Sequence, residues 1–93
     1  MEAALDKESF IAAFKLAGYR TMKLSFHNHN ERWRISLYPI QSSLYINLKS
    51  EHDYKRRPII TLESGNDIID VYRDYQEAYT QINKYIKGIT NVD

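Results

Sequence analysis

Residues 20–38, RTMKLSFHNHNERWRISLY, hold the pattern on which the reading of the fold turns. Met22, Leu24 and Phe26 alternate with Thr21, Lys23, Ser25 and His27. After the polar stretch 28–31, Trp33, Ile35 and Leu37 alternate with Arg32, Arg34, Ser36 and Tyr38. A period of two sends each set to one face of a strand, so the spacing predicts two antiparallel strands joined by a short turn. Pro39 has no N–H to give to a ladder and ends the second strand.

The same alternation continues downstream. Leu44, Ile46 and Leu48 against Tyr45, Asn47 and Lys49 predict a third strand, and Ile59–Glu63, after a polar loop and Pro58, a fourth. Adjacent strands on short turns form a meander with one packed face and one wet face. Upstream, Phe10, Ala13, Phe14 and Ala17 recur at helical spacing behind Asp6, a good N-cap, and Gly18 suits a helix end; a helix over 7–17 is expected. Downstream, Ile68, Tyr72, Tyr75, Tyr79, Ile82, Ile86 and Ile89 recur at spacings of four and three between a cap at Asn66 or Asp67 and a stop at Gly88. That stripe predicts one long C-terminal helix. The expected fold is a single α+β domain over 1–93: a helix, a four-stranded antiparallel meander and a long C-terminal helix, both helices on one sheet face. Met22, Trp33, Ile35, Leu44, Ile46 and Ile60 should face the helices, with Phe14, Trp33, Ile35, Ile46 and Ile82 at the centre.

Composition bounds the function. Ninety-three residues with 43% hydrophobic content suit one domain with a real core. The absence of cysteine excludes disulfides and leaves only His and carboxylate side chains to hold zinc. No apolar run reaches the roughly 18 residues of a membrane span, and Met1–Leu5 lacks the features of a signal peptide, so a cytoplasmic protein without membrane contact is expected. The net charge of +1 hides an asymmetry. Residues 1–18 carry −1; residues 19–57 carry eight Lys or Arg against Glu31, Glu51 and Asp53, giving +5; residues 58–93 carry three bases against six acids, giving −3.

Catalytic and metal signals are absent or weak. His27, His29 and Glu31 alternate near a turn and have metal-ligating chemistry, but the pattern reads as a polar hairpin tip. His52 and Asp53 read as a solvated turn. There is no cysteine nucleophile and no Gly-rich phosphate loop, the three glycines all falling at expected helix ends. A non-enzymatic protein needing no cofactor or metal is expected.

Two surfaces compete for the functional role. On the predicted C-terminal helix, Asp67, Asp70, Asp74 and Glu77 stack at spacings of three and four beside Tyr75 and Tyr79. A row of carboxylates can engage a basic groove, and tyrosines supply buried ring area with a polar tip. In size and charge the chain resembles phage or mobile-element proteins that disable host nucleic-acid enzymes, anti-CRISPR proteins among them. The favoured expectation is therefore a protein-binding inhibitor that docks this helix on a larger protein; the same long seam would also permit a homodimer. The alternative is a nucleic-acid-binding domain. Lys23, Arg32, Arg34, Lys49, Tyr38 and Tyr45 are expected on the wet sheet face, with Lys55, Arg56 and Arg57 on a nearby loop. The helix–strands–helix order resembles a double-stranded RNA-binding domain, but residues 66–74 are acidic where that family is Lys-rich.

Overall fold

The computed structural model describes residues 5–27, 30–38, 40–49 and 58–90, the side chains of 25–27, 30 and 31 excepted. Its elements are α1 (Lys7–Leu16), β1 (Arg20–His27), β2 (Asn30–Ser36), β3 (Leu44–Lys49), β4 (Ile59–Ser64), β5 (Asp67–Tyr72) and α2 (Tyr75–Thr90). The strands form one antiparallel sheet in sequence order, β1-β2-β3-β4-β5. The chain is a single α+β unit of the expected class, with five strands rather than four.

α1 forms where its cap and periodicity place it. The Asp6 carboxylate accepts from the Ser9 N–H at 2.8 Å, and that bond holds its carboxyl below the usual range. Phe10, Ile11 and Phe14 are its buried stripe. The inner strands bury alternate residues, and their register sets matching side chains side by side. Ile35 pairs with Ile46 and Ile46 with Leu62; Trp33 pairs with Leu48 and Leu48 with Ile60. α1 and α2 cover this face, α1 lying against β1 and α2 against β4 and β5. Phe10, Phe14, Ile35, Ile46, Leu62 and Ile82 are fully enclosed. Each such side chain contributes roughly 1.5–3 kcal/mol by leaving water. Trp33 is half-buried at the margin of this cluster rather than at its centre, with Lys23 Nζ 6.0 Å from its ring centroid.

The edge strands depart from the expected faces for one reason. At the first hairpin His27 pairs with Asn30 and Phe26 with Glu31, a register that, continued, would set Leu24 against Trp33 and Met22 against Ile35. A β-bulge between Lys23 and Ser25 shifts it by one, so Lys23 meets Trp33 and Met22 meets Arg34. One extra residue exchanges the faces of everything beyond it. Met22 and Leu24 are consequently exposed, and Thr21 and Lys23 take the helix-covered side. Both the inward Met22 and the outward Lys23 of the sequence reading are overturned.

The long C-terminal helix is likewise corrected. Residues 67–72 are β5, joined to β4 by the two-residue turn Gly65–Asn66 with Ser64 paired to Asp67. Gly65 has φ +61, the left-handed conformation such a turn requires. Ile68, Ile69 and Val71 are β-branched and favour the strand. A second bulge, between Leu62 and Glu63, brings Asp70 opposite Leu62 and Tyr72 opposite Ile60. Tyr72 is therefore buried, while Ile68, Ile69 and Val71 are exposed. α2 begins after Asp74, whose carboxylate accepts from the Glu77 N–H at 3.0 Å, and Gly88 lies inside it. Before it, Arg73 Nε donates to the Pro58 carbonyl at 2.8 Å, tying the lead-in to the start of β4.

Opposite signs are expected at two glycines whose added Cβ would meet nothing within 4 Å. Gly65→Ala should destabilise the fold by about 1–2 kcal/mol through left-handed strain, whereas Gly88→Ala, in mid-helix, should stabilise it by roughly 0.5–1 kcal/mol. Urea denaturation of the two variants measures both; a loss at Gly88→Ala would place the end of α2 before that residue.

Candidate functional site

The helix-free face of the sheet is built from the alternate residues of the inner strands. Arg32, Arg34 and Ser36 of β2, Tyr45, Asn47 and Lys49 of β3, and Thr61 and Glu63 of β4 project there because their neighbours are committed to the core. The β1 bulge adds Met22 and Leu24 along one margin, and Arg20 shares that side as the partner of Ser36. Along the other margin lie Ile68, opposite Glu63 in the hairpin register, and Val71, which the β5 bulge turns out opposite Thr61. A polar centre thus lies between two apolar margins.

The centre is a hydrogen-bonded chain across three strands. Arg34 Nε donates to Asn47 Oδ1 at 3.0 Å, Asn47 Nδ2 donates to Glu63 Oε2 at 2.6 Å, and Thr61 Oγ1 donates to the same oxygen at 2.6 Å. The Arg34 guanidinium carbon sits 4.8 Å from the Tyr45 ring centroid. Partial burial pushes the Glu63 carboxyl up, but the bonds from Thr61 and Asn47 and the charges of Arg34 and Lys49 outweigh it, and the net displacement is downward from 4.5. Glu63 is the one carboxylate on this face among the described residues, and its charge is engaged within the face. Arg32 and Lys49 stand directly opposite each other on β2 and β3. Such a like-charge pair is unfavourable without an anion between its members. Two shallow hollows open here, one bordered by Arg32, Arg34, Asn47, Lys49 and Glu63, the other by Arg20, Met22, Arg34 and Tyr45.

Of the residues expected on a basic face, the structure brings together Arg32, Arg34, Tyr45 and Lys49. Tyr38 is exposed just beyond the end of β2, beside Arg20 and Ser36. Lys23 is excluded by the bulge. Lys55, Arg56 and Arg57 lie outside the described residues, as do His29, His52 and Asp53, and the side chains of His27 and Glu31. Arg20, Met22 and Leu24 were missed, because a bulge has no signature in the strand that carries it.

The acidic stripe is not assembled on one helix. Asp67 and Asp70 belong to β5, Asp74 is the N-cap of α2, and only Glu77 is inside the helix, in its first turn. The half-buried rings of Tyr75 and Tyr79 pack on α1: Tyr75 is 5.4 Å from Phe10, and Tyr79 is 5.7 Å from Phe14. Burial, the nearby charge of Asp70, a hydrogen bond to it and the charge of Glu77 push the Tyr72 hydroxyl up to about 12. The apolar seam of α2, with Ala78, Ile82 and Ile86, is spent on the core. No helix of the described residues is long and apolar enough to cross a membrane. The chain matches no protein-family model, no characterised protein and no solved structure.

Because the folded Glu63 has the lower pKa, its contribution to stability is present above the unfolded value, near 4.5, and lost as pH falls through the folded one. Glu63→Gln should therefore lower the urea midpoint at neutral pH. The gap from wild type should close as the pH is taken well below 4.5; a gap independent of pH would mean that the carboxylate charge contributes nothing to the chain of bonds.

Proposed function

We propose that the chain is a non-enzymatic binding module whose open sheet face takes single-stranded nucleic acid. The observation that carries this reading is the cross-strand pair Arg32 and Lys49, opposed without a carboxylate between them among the described residues, on a face shared with Arg20, Arg34 and Tyr45. A phosphate between two such cations relieves their repulsion, and guanidinium and tyrosine planes offer bases a surface to stack on. The hollows on this face are shallow and open, so it suits an extended strand that lies across it. The cysteine-free composition suits a reducing compartment such as the cytoplasm.

Fluorescence anisotropy with labelled single strands tests this. If four cations meet phosphates, affinity should fall about fifty-fold between ~50 and ~200 mM salt, the slope for a single strand being roughly −0.7 per phosphate. Arg32→Thr should weaken binding and flatten that slope by about 0.7 while leaving stability unchanged or raised, since it removes a like-charge pair. Tyr45→Ala should weaken binding by about fivefold or more. Absence of binding at ~50 mM salt to single- or double-stranded DNA or RNA removes the reading.

A second reading has its own observation. β5 is the edge strand of the sheet among the described residues, with the carboxylates Asp67 and Asp70 and three exposed β-branched residues. This suits a protein partner that adds a basic strand, as an inhibitor of a nucleic-acid-handling protein of the phage or mobile-element kind would require. Such a partner should be retained on the immobilised wild-type chain and lost on Ile69→Lys; equal retention by both moves the contact away from β5.

A further inference from the structure

We propose that β1 and β5 are complementary ends of a self-assembling sheet, β5 of one copy pairing with β1 of a second copy of this chain. The inference rests on the reading of β5 as a protein-contact edge and names the partner.

The two outer strands are matched in three respects. Among the described residues each has a neighbouring strand on one side only, and on β5 the Val71 N–H donates to the Asp70 carboxylate at 2.9 Å. β1 carries Arg20 and Lys23 and no acid; β5 carries Asp67 and Asp70 and no base. Both expose large apolar side chains, Met22 at 46% and Leu24 at 43% on β1, Ile68 at 60%, Ile69 at 39% and Val71 at 48% on β5. The pairing partners then fix which sides meet. Lys23 lies opposite Trp33 and Asp70 opposite Leu62, so both belong to the helix-bearing side. Met22 lies opposite Arg34, Val71 opposite Thr61 and Ile68 opposite Glu63, so these belong to the open side.

Strand directions alternate across five antiparallel strands, so β1 and β5 run the same way. A second copy added with its helices on the same side therefore meets the first in a parallel junction. Asp70 falls on the side of Lys23, and Ile68 and Val71 fall on the side of Met22. Pairing β5 with β5, or β1 with β1, would instead line like charges along the seam. A head-to-tail contact of this kind does not close by itself into a pair. Each strand adds about 20–25° of twist, so successive copies wind into an open series. The open faces of neighbouring copies become continuous, and a basic face one molecule wide becomes a track.

Sedimentation velocity of the full chain without nucleic acid tests this. Over concentrations of roughly 10 μM to 1 mM, the range of weak protein contacts, the average mass should rise without a plateau and fall back on adding ~1 M salt. Arg20→Glu with Lys23→Glu, and separately Asp67→Lys with Asp70→Lys, should each stay monomeric, because both edges then carry one sign. Their equimolar mixture should re-associate at least about tenfold more strongly than either alone. Circular dichroism checks that each variant folds; where a reversed pair does not, Asp67→Asn with Asp70→Asn decides, and association unchanged from wild type overturns the proposal. A wild-type chain that stays at 11.0 kDa at the highest concentration overturns it, as does a plateau at twice that mass or a mixture that does not re-associate. If the wild type is monomeric but a different protein is retained and lost on Ile69→Lys, self-pairing fails while β5 stands as a protein-contact edge.

Discussion

The register of β2, β3 and β4, which lays Ile35, Ile46 and Leu62 in one row, determines what every other element does. With that row and its neighbours Leu48 and Ile60 turned to one side, the intervening residues have no choice of side. Phe10 and Phe14 of α1 and Ile82 of α2 are buried in the same cluster as this row, with Tyr75 and Tyr79 packed between the helices. Arg34, Asn47, Thr61 and Glu63 are delivered to the opposite side at neighbouring positions, close enough to bond. The hydrophobic side and the polar chain are two consequences of one alignment.

The two bulges act on this frame in the same way at opposite ends. Each inserts one residue into an edge strand and so inverts the strand beyond it, drawing a polar or amphipathic residue in and turning apolar ones out. Lys23 comes to lie by Trp33, and Tyr72 is buried opposite Ile60 with the charge of Asp70 near its hydroxyl. In exchange Met22, Leu24 and Val71 border the open side, where Ile68 already lies by the hairpin register. Bulges commonly blunt sheet edges against indiscriminate pairing. Here they also shape the open face, since without them its margins would carry Thr21, Lys23 and Asp70.

The open face is tied together at its centre and carries a like-charge pair beside it. The Arg34–Asn47–Glu63–Thr61 chain holds side chains on three strands in fixed positions, so a ligand would not need to order them. Arg32 and Lys49 oppose each other across β2 and β3, Lys49 also acting on the Glu63 carboxylate.

Much of this was legible in the residues alone. α1, its Asp6 cap, the three inner strands and the inward set Ile35, Leu44, Ile46 and Ile60 follow from periodicities that each segment carries by itself, and so does the presence of Arg32, Arg34, Tyr45 and Lys49 on one face. Gly65–Asn66 between two β-branched runs was also a hairpin signal, but Ile68, Tyr72 and Tyr75 continue the spacing of α2 so well that the run reads equally as helix. Only tertiary structure divided that run at Arg73 and Asp74, because β4 offered residues 67–72 a partner that a lone segment does not have. The bulges were decided at the same level. A bulge is a relation between two strands under the elements that cover them, and neither strand's own sequence contains it.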